Sequence, residues 1–273
     1  MSAPRLIWRD TIERSVTRVR MVVLGSSSSG NSTLVETGDG SVLVDAGFSC
    51  RELTRRLSGV GADVGDIRAV LLTHEHTDHV SGVRVMARRH DLPVIASPGT
   101  VKGASRQLAG LDVRPVTPGE PFEVDPFSVT LIPIPHDATE PTAVRLEVDG
   151  RRLLVATDVG QFPWSLVEHA QDMDAMVLES NHDEGMLRNG PYPEFLKRRI
   201  RGPRGHLSNS ESAVALRALL GPSTRAVLLG HLSQRNNTED LALRTVLAGV
   251  PEPMREVVDI RTTAPDRSEA VEI

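Results

Sequence analysis

Seven residues constrain this chain more than any other stretch. They read Thr73-His74-Glu75-His76-Thr77-Asp78-His79, directly after the apolar run Ala69-Val70-Leu71-Leu72 and before a helix-compatible segment at residues 80–89. A buried strand that empties into a polar loop and then a helix is where α/β proteins commonly place their sites. Imidazole and carboxylate are suitable ligands for zinc and related divalent metals. In extended backbone, residues two apart point the same way, so His74 and His76 can reach one ion together. Asp78 and His79 lie past the bend and can address a second ion beside it. One histidine would suit a solvated loop; three in this spacing after an apolar strand read as a metal site.

The rest of the chain alternates strands with helices. Strands are expected at residues 20–24, 33–36, 41–44, 68–72, 94–96, 129–134, 143–148, 153–156, 176–178 and 226–229. Helices are expected at 51–57, 80–89, 194–200, 211–219 and 241–247, with Asn209 or Ser210 as the cap of the fourth. Gly25 to Asn31 reads as a small polar loop, and Gly38-Asp39-Gly40 and Asp149-Gly150 as hairpin turns. This alternation gives an α/β class. Residues 1–17 read as a charged, frayed extension or as sequence upstream of a later start codon, and 18–273 as one domain.

Aromatics make up 3% of the chain, so its core must come from Val, Leu, Ile and Ala. The net charge of −5 argues against a histone-like basic surface but leaves room for a local basic patch or a bound metal to meet nucleic acid. Cys50 is the single cysteine, which excludes an intramolecular disulfide and a cysteine-rich zinc site and fits a reducing compartment. No apolar run approaches the ~18 residues of a membrane span. The first twenty residues carry several charges and lack the apolar stretch of a secretory signal. A cytoplasmic protein with no membrane partner is the expectation.

In the motif His74-x-His76-x-Asp78-His79 the chain resembles the metallo-β-lactamase-fold hydrolases. The resemblance runs from about Arg18 onward. It implies a four-layer αββα sandwich, two mixed β-sheets flanked by helices, with the metals at one edge. It also implies further ligands at strand ends, and the chain has them in order: His136 after 131–135, Asp158 after 154–157 and His231 after 227–230. By that resemblance His74, His76 and His136 hold one ion, Asp78, His79 and His231 hold a second, and Asp158 bridges them. Asp45, after 42–44, supports the metal loop from behind. The implied cofactors are two divalent ions, zinc or manganese, and the ligand types also accept iron. Such a centre, with a bridging hydroxide, carries a net charge of about +1. It lowers the pKa of bound water toward ~7 and can clamp both oxygens of a phosphodiester displacement.

Other motifs narrow the resemblance. Ser26-Ser27-Ser28-Ser29-Gly30-Asn31 is similar to the small-residue loop of one bacterial branch, the YycJ/WalJ-type exonucleases, with Ser27 in place of a glycine. Leu178-Glu179-Ser180-Asn181-His182-Asp183, Gly205-His206-Leu207-Ser208-Asn209, His231-Leu232-Ser233 and His136-Asp137-Ala138 carry the same likeness, and Thr139-Glu140 departs from it by adding a charge. The branch implies 5′-to-3′ hydrolysis of DNA and a part in mismatch repair; protein partners stay open, repair factors among them. Asp78 and Asp158 are then catalytic, with His182 and His206 placed to contact phosphate or protonate the leaving oxygen. Ser29, Gly30, Asn31, Asn181, Ser208 and Asn209 are the expected substrate-binding residues. Lys197, Arg198, Arg199, Arg201 and Arg204 form a basic cluster suited to phosphate contacts or to a solvated helix face. Phe162, Trp164 and Phe195 can stack bases, but core packing is the expectation for each. A ribonuclease, or a hydrolase of a small ester, thioester or phosphodiester, uses the same centre and stays open.

Overall fold

Apolar side chains fill both faces of the central strands, the pattern of strands buried on two sides. The computed structural model describes residues 18–273, and the expected extension at 1–17 lies outside the described residues. In chain order, β1 (Arg20–Ser27), β2 (Gly30–Glu36), β3 (Ser41–Val44), β4 (Ile67–Leu72), β5 (Val94–Ala96) and β6 (Val113–Pro115) run across one sheet. A second sheet takes β7 (Pro121–Val124), β8 (Phe127–Pro133), β9 (Thr142–Val148), β10 (Arg151–Ala156), β11 (Ala175–Glu179), β12 (Ala226–Gly230) and β13 (Asp259–Thr262). β14 (Glu269–Glu272) returns to pair antiparallel with β1.

Each sheet begins as an antiparallel meander and continues parallel. The change comes after β3 in the first sheet and after β10 in the second. Short turns allow antiparallel neighbours, whereas the parallel ones need helical crossovers. Alternation along the strands sorts the core into three slabs. On β4, Ala69 and Leu71 face the other sheet, while Val70 and Leu72 face the helices. On β11, Ala175 and Val177 join the slab between the sheets, and Met176 and Leu178 pack under helices of the second half. Three slabs separate four layers, so the structure has the αββα sandwich that the resemblance implies.

Four local expectations change. The 25–31 loop is instead the end of β1 and the start of β2, joined by a turn at Ser28 and Ser29, because Asn31 ties back to Ser27 through its side chain. The 80–89 helix is broken into Thr77–Val80 and Val83–His90. Gly82 sits at the break, where a Cβ would lie 1.8 Å from the Phe48 carbonyl oxygen. The helix Asn209–Leu219 is capped by Ser208, with Glu211 closing a reciprocal capping box. Strands β6, β7, β13 and β14 were not expected; they are short, partly exposed edge strands, made into strands by their neighbours.

Candidate metal centre

The site is built at the strand ends of both sheets. Asp45 follows β3, the His/Asp loop follows β4, Asp158 follows β10 with Thr157 between, Glu179 ends β11 and His231 follows β12. Parallel pairing aligns the last three, because Ala156 pairs with Leu178 and Glu179 with Gly230. Asp45, Asp158 and His231 adopt φ of 62°, 58° and 54°. This left-handed region costs a non-glycine residue of order 1–3 kcal/mol and persists only where the surroundings enforce it. It breaks each strand sharply at the point where a side chain enters the centre. Gly47 allows the two backbone segments to meet, since a Cβ there would lie 1.7 Å from the Asp78 carbonyl oxygen.

The donors fall into overlapping groups. In each of the sets His74–His76–His136, Asp78–His79–His231 and His74–His79–Asp158, one ligand atom per residue lies within 4.8 Å of the others. The histidines present a common nitrogen. Nδ1 of His136 donates to the Gly205 carbonyl at 3.0 Å, and Nδ1 of His74 lies 3.0 Å from the Thr73 hydroxyl. His79 turns Nδ1 to Asp45 at 2.7 Å and His231 turns Nδ1 to Glu179 at 2.9 Å. Tying one ring nitrogen sets the tautomer and leaves Nε2 for a metal. Nε2 of His74, His136 and His231 and Oδ2 of Asp158 are buried and, among the described residues, have no hydrogen-bond partner. Such an atom costs ~1–3 kcal/mol. A cation facing these four atoms removes that cost, so the residues fit a metal.

Two buried carboxylates hold the rings. Asp45 accepts from the Thr73 N–H at 2.9 Å, the Thr73 hydroxyl at 2.8 Å and His79. Glu179 accepts from His206 at 2.8 Å and His231 with one oxygen, and from the Val159 and Leu207 N–H groups with the other. Glu179 lies close enough to Asp158, His206 and His231 to count as a ligand itself. Both its oxygens are already committed, so it positions the others. It was not singled out from the sequence. The available signal was an acid ending an apolar run, a burial that demands partners.

The charges interlock. Burial opposes the charge on Glu179, but His206 and His231 outweigh it and hold the carboxyl at about 2. Burial likewise opposes a charged His231, yet Asp158, Asp78 and Glu179 push it up to about 10. His79 is raised against its burial by Asp45 and Asp158, and His206 by Glu179. Asp158 is held well below the usual carboxylate range against its own burial, by His231 and His79. Burial pushes His74 and His136 down.

The remaining expected site residues divide. His206 lines the cleft over the centre, together with Asn181, whose amide also holds the His231 carbonyl at 2.8 Å. His182 is buried and does not line that cleft. Asn31 is buried and donates to Asp78 at 3.2 Å. Gly30 is buried where a Cβ would meet the Phe48 ring, and Ser29 is exposed in the turn, its N–H on the Ser27 hydroxyl. Ser208 caps its helix, and Asn209 is buried in a network with Ser180 and Asn237. Asn31, Ser208 and Asn209 thus hold the chain in shape where substrate contacts were expected.

The basic cluster is likewise divided. Lys197 is buried on the Arg188 carbonyl, Arg204 straps the His136 and Ala138 carbonyls, and Arg199 pairs with Asp137 at 2.5 Å. Phe162 packs on the core as expected, whereas Trp164 and Phe195 are 77% and 68% exposed. The added Glu140 takes the N–H of Gly99 at a helix start, and Glu75 turns away to Thr139.

Residues 41–232 match the beta-lactamase superfamily domain, and the chain belongs to that family as a metal-dependent hydrolase of the metallo-β-lactamase fold. It is 35% identical to Exodeoxyribonuclease WalJ of Streptococcus pneumoniae over 236 residues, 82% of this chain and 86% of that protein. It is 34% identical to Exodeoxyribonuclease YycJ of Bacillus anthracis over 232 residues, again 82% and 86%. Among solved structures, the metallo-beta-lactamase fold protein YhfI from Bacillus subtilis superposes with a TM-score of 0.72 at 16% identity, over 93% of this chain and all of that one.

Proposed function

We propose that this chain is a two-metal DNA exonuclease that hydrolyses phosphodiesters in the 5′-to-3′ direction in the cytoplasm, with a part in mismatch repair. The observation that carries the metal reading is the clustering of buried donor atoms from His74, His136, His231 and Asp158 that lack a hydrogen-bond partner among the described residues. The DNA reading is supported by relatives named exodeoxyribonucleases that match over most of the chain. His74, His76 and His136 would hold one cation, Asp78, His79 and His231 a second, and Asp158 would lie between them. Zinc or manganese suits these ligands. When bound, such ions acidify water and offset the charge of a phosphodiester. Asp45 and Glu179 orient the rings, and Asn31 orients Asp78. His206, held by Glu179 and facing the cleft, would carry the proton to the leaving oxygen.

The test is to add zinc or manganese back to metal-stripped protein with end-labelled DNA, and with RNA of the same sequence. Metal-dependent release of nucleotides from DNA is expected, and Asp78→Ala should lose at least about 100-fold with its circular dichroism unchanged. Cleavage of RNA alone would make the chain a ribonuclease. Cleavage of neither would move the reading to a small ester or phosphodiester.

A further inference from the structure

The cleft over the metal centre has an unlike lining. Asp137, His206 and His231 line it with polar groups, and Tyr192, Leu196 and Ile200, all from one short segment, supply an apolar wall. The cavity measures about 180 Å³, below the ~300–1,000 Å³ of pockets that enclose a drug-sized ligand. It offers room for one flat group beside the metal ligands, with the rest of a larger substrate outside.

The apolar wall is held rigidly. Tyr192 is the single tyrosine of the chain and stands between Pro191 and Pro193. A proline fixes its own φ and confines the residue before it to extended backbone, so the chain carrying the ring has little freedom left to lose. Leu196 and Ile200 are four residues apart on the helix Glu194–Ile200 and share a face. The buried Lys197, bonded to the Arg188 carbonyl at 2.8 Å, pins that helix in place. Arg199 also lines the cleft, its guanidinium paired with Asp137. Apolar residues from one short segment beside the imidazoles of the metal centre match a nucleotide. Its base would lie against them and its phosphate would reach the metal ligands.

We propose that Tyr192, Leu196 and Ile200 form a stacking subsite for the nucleobase adjoining the scissile phosphate, with Tyr192 as its main contact. The proposal rests on the nuclease reading above. Base stacking on an aromatic ring tolerates every base, so the subsite adds affinity without reading sequence.

The test crosses the protein with the substrate. Wild type, Tyr192→Phe and Tyr192→Ala are assayed with manganese on single-stranded oligonucleotides whose two terminal nucleotides are either intact or replaced by tetrahydrofuran abasic units. On intact DNA, Tyr192→Ala should raise KM about tenfold with kcat nearly unchanged, and Tyr192→Phe should match wild type. Removing the bases should raise the wild-type KM by a similar factor and leave Tyr192→Ala without a further rise. If base removal raises KM equally in wild type and Tyr192→Ala, or if Tyr192→Ala keeps the wild-type KM, the subsite is overturned while wild-type cleavage keeps the nuclease reading. If wild type cleaves no oligonucleotide, both fall. Should Tyr192→Ala fold poorly, Leu196→Ala in the same cycle must show the same smaller base effect, and an unchanged one overturns the proposal.

Discussion

Asp45 and Glu179 stand at strand ends of different sheets and hold the histidines of the metal centre in the same way, but Asp45 draws its partners from one segment of the chain and Glu179 from three. Asp45 gathers Thr73 and His79, both within the one loop after β4. Glu179 gathers Val159, His206, Leu207 and His231, from segments brought together only by the parallel run β10-β11-β12. One side braces a single loop, brought to Asp45 by the parallel pair β3-β4. The other joins three segments around one buried charge. Mutational damage on the first side should stay near the metal, whereas on the second it should spread into the fold.

The largest effect is expected from Glu179→Ala. It strands two histidines and two amides at a buried position, and metal-free protein should lose about 3–5 kcal/mol in urea denaturation. Asp45→Asn keeps the shape of its side and should show chiefly a 10–100-fold weaker metal affinity, read by competition with a chelating dye. Equal stability losses for the two variants would erase the distinction between the sides.

A second expectation sharpens it through pH. In the metal-free protein His231 is raised from 6.5 to about 10. Its contribution to stability is therefore complete below about 6.5 and disappears as pH climbs through about 10. Glu179 is lowered from 4.5 to about 2, so its contribution is present above about 4.5 and disappears as pH falls through about 2. A cation must displace the proton on His231, so manganese affinity should rise with pH between about 6.5 and 10, with protons released. Calorimetry in buffers of different ionisation enthalpy measures that release. Without Glu179 the release near neutral pH should shrink; an unchanged value would remove Glu179 as the brace of His231.

The smallest effect is expected from Glu75→Gln. Although Glu75 lies inside the metal motif, its carboxylate accepts from the Thr139 N–H at 2.8 Å. Activity should stay within about twofold of wild type and stability within about 0.5 kcal/mol. A tenfold loss of activity would bring Glu75 into the metal chemistry.

The sequence by itself determined the strands with clear apolar alternation and the loop from Thr73 to His79, because these are local patterns, and the family resemblance implied the roles of Asp45, His136, Asp158 and His231 at strand ends. The tertiary structure alone decided which polar groups meet. It turned Asn31, Ser208 and Asn209 into braces and caps, buried Lys197, left Trp164 and Phe195 in solvent and made Glu179 the hub of one side. Most of those outcomes depend on partners far along the chain and on strand register, whereas the Ser208 cap and the Lys197 bond to the Arg188 carbonyl are local. A lone acid at a strand end carries the same letters whether it faces water or four buried donors, and only packing makes its charge costly enough to require them.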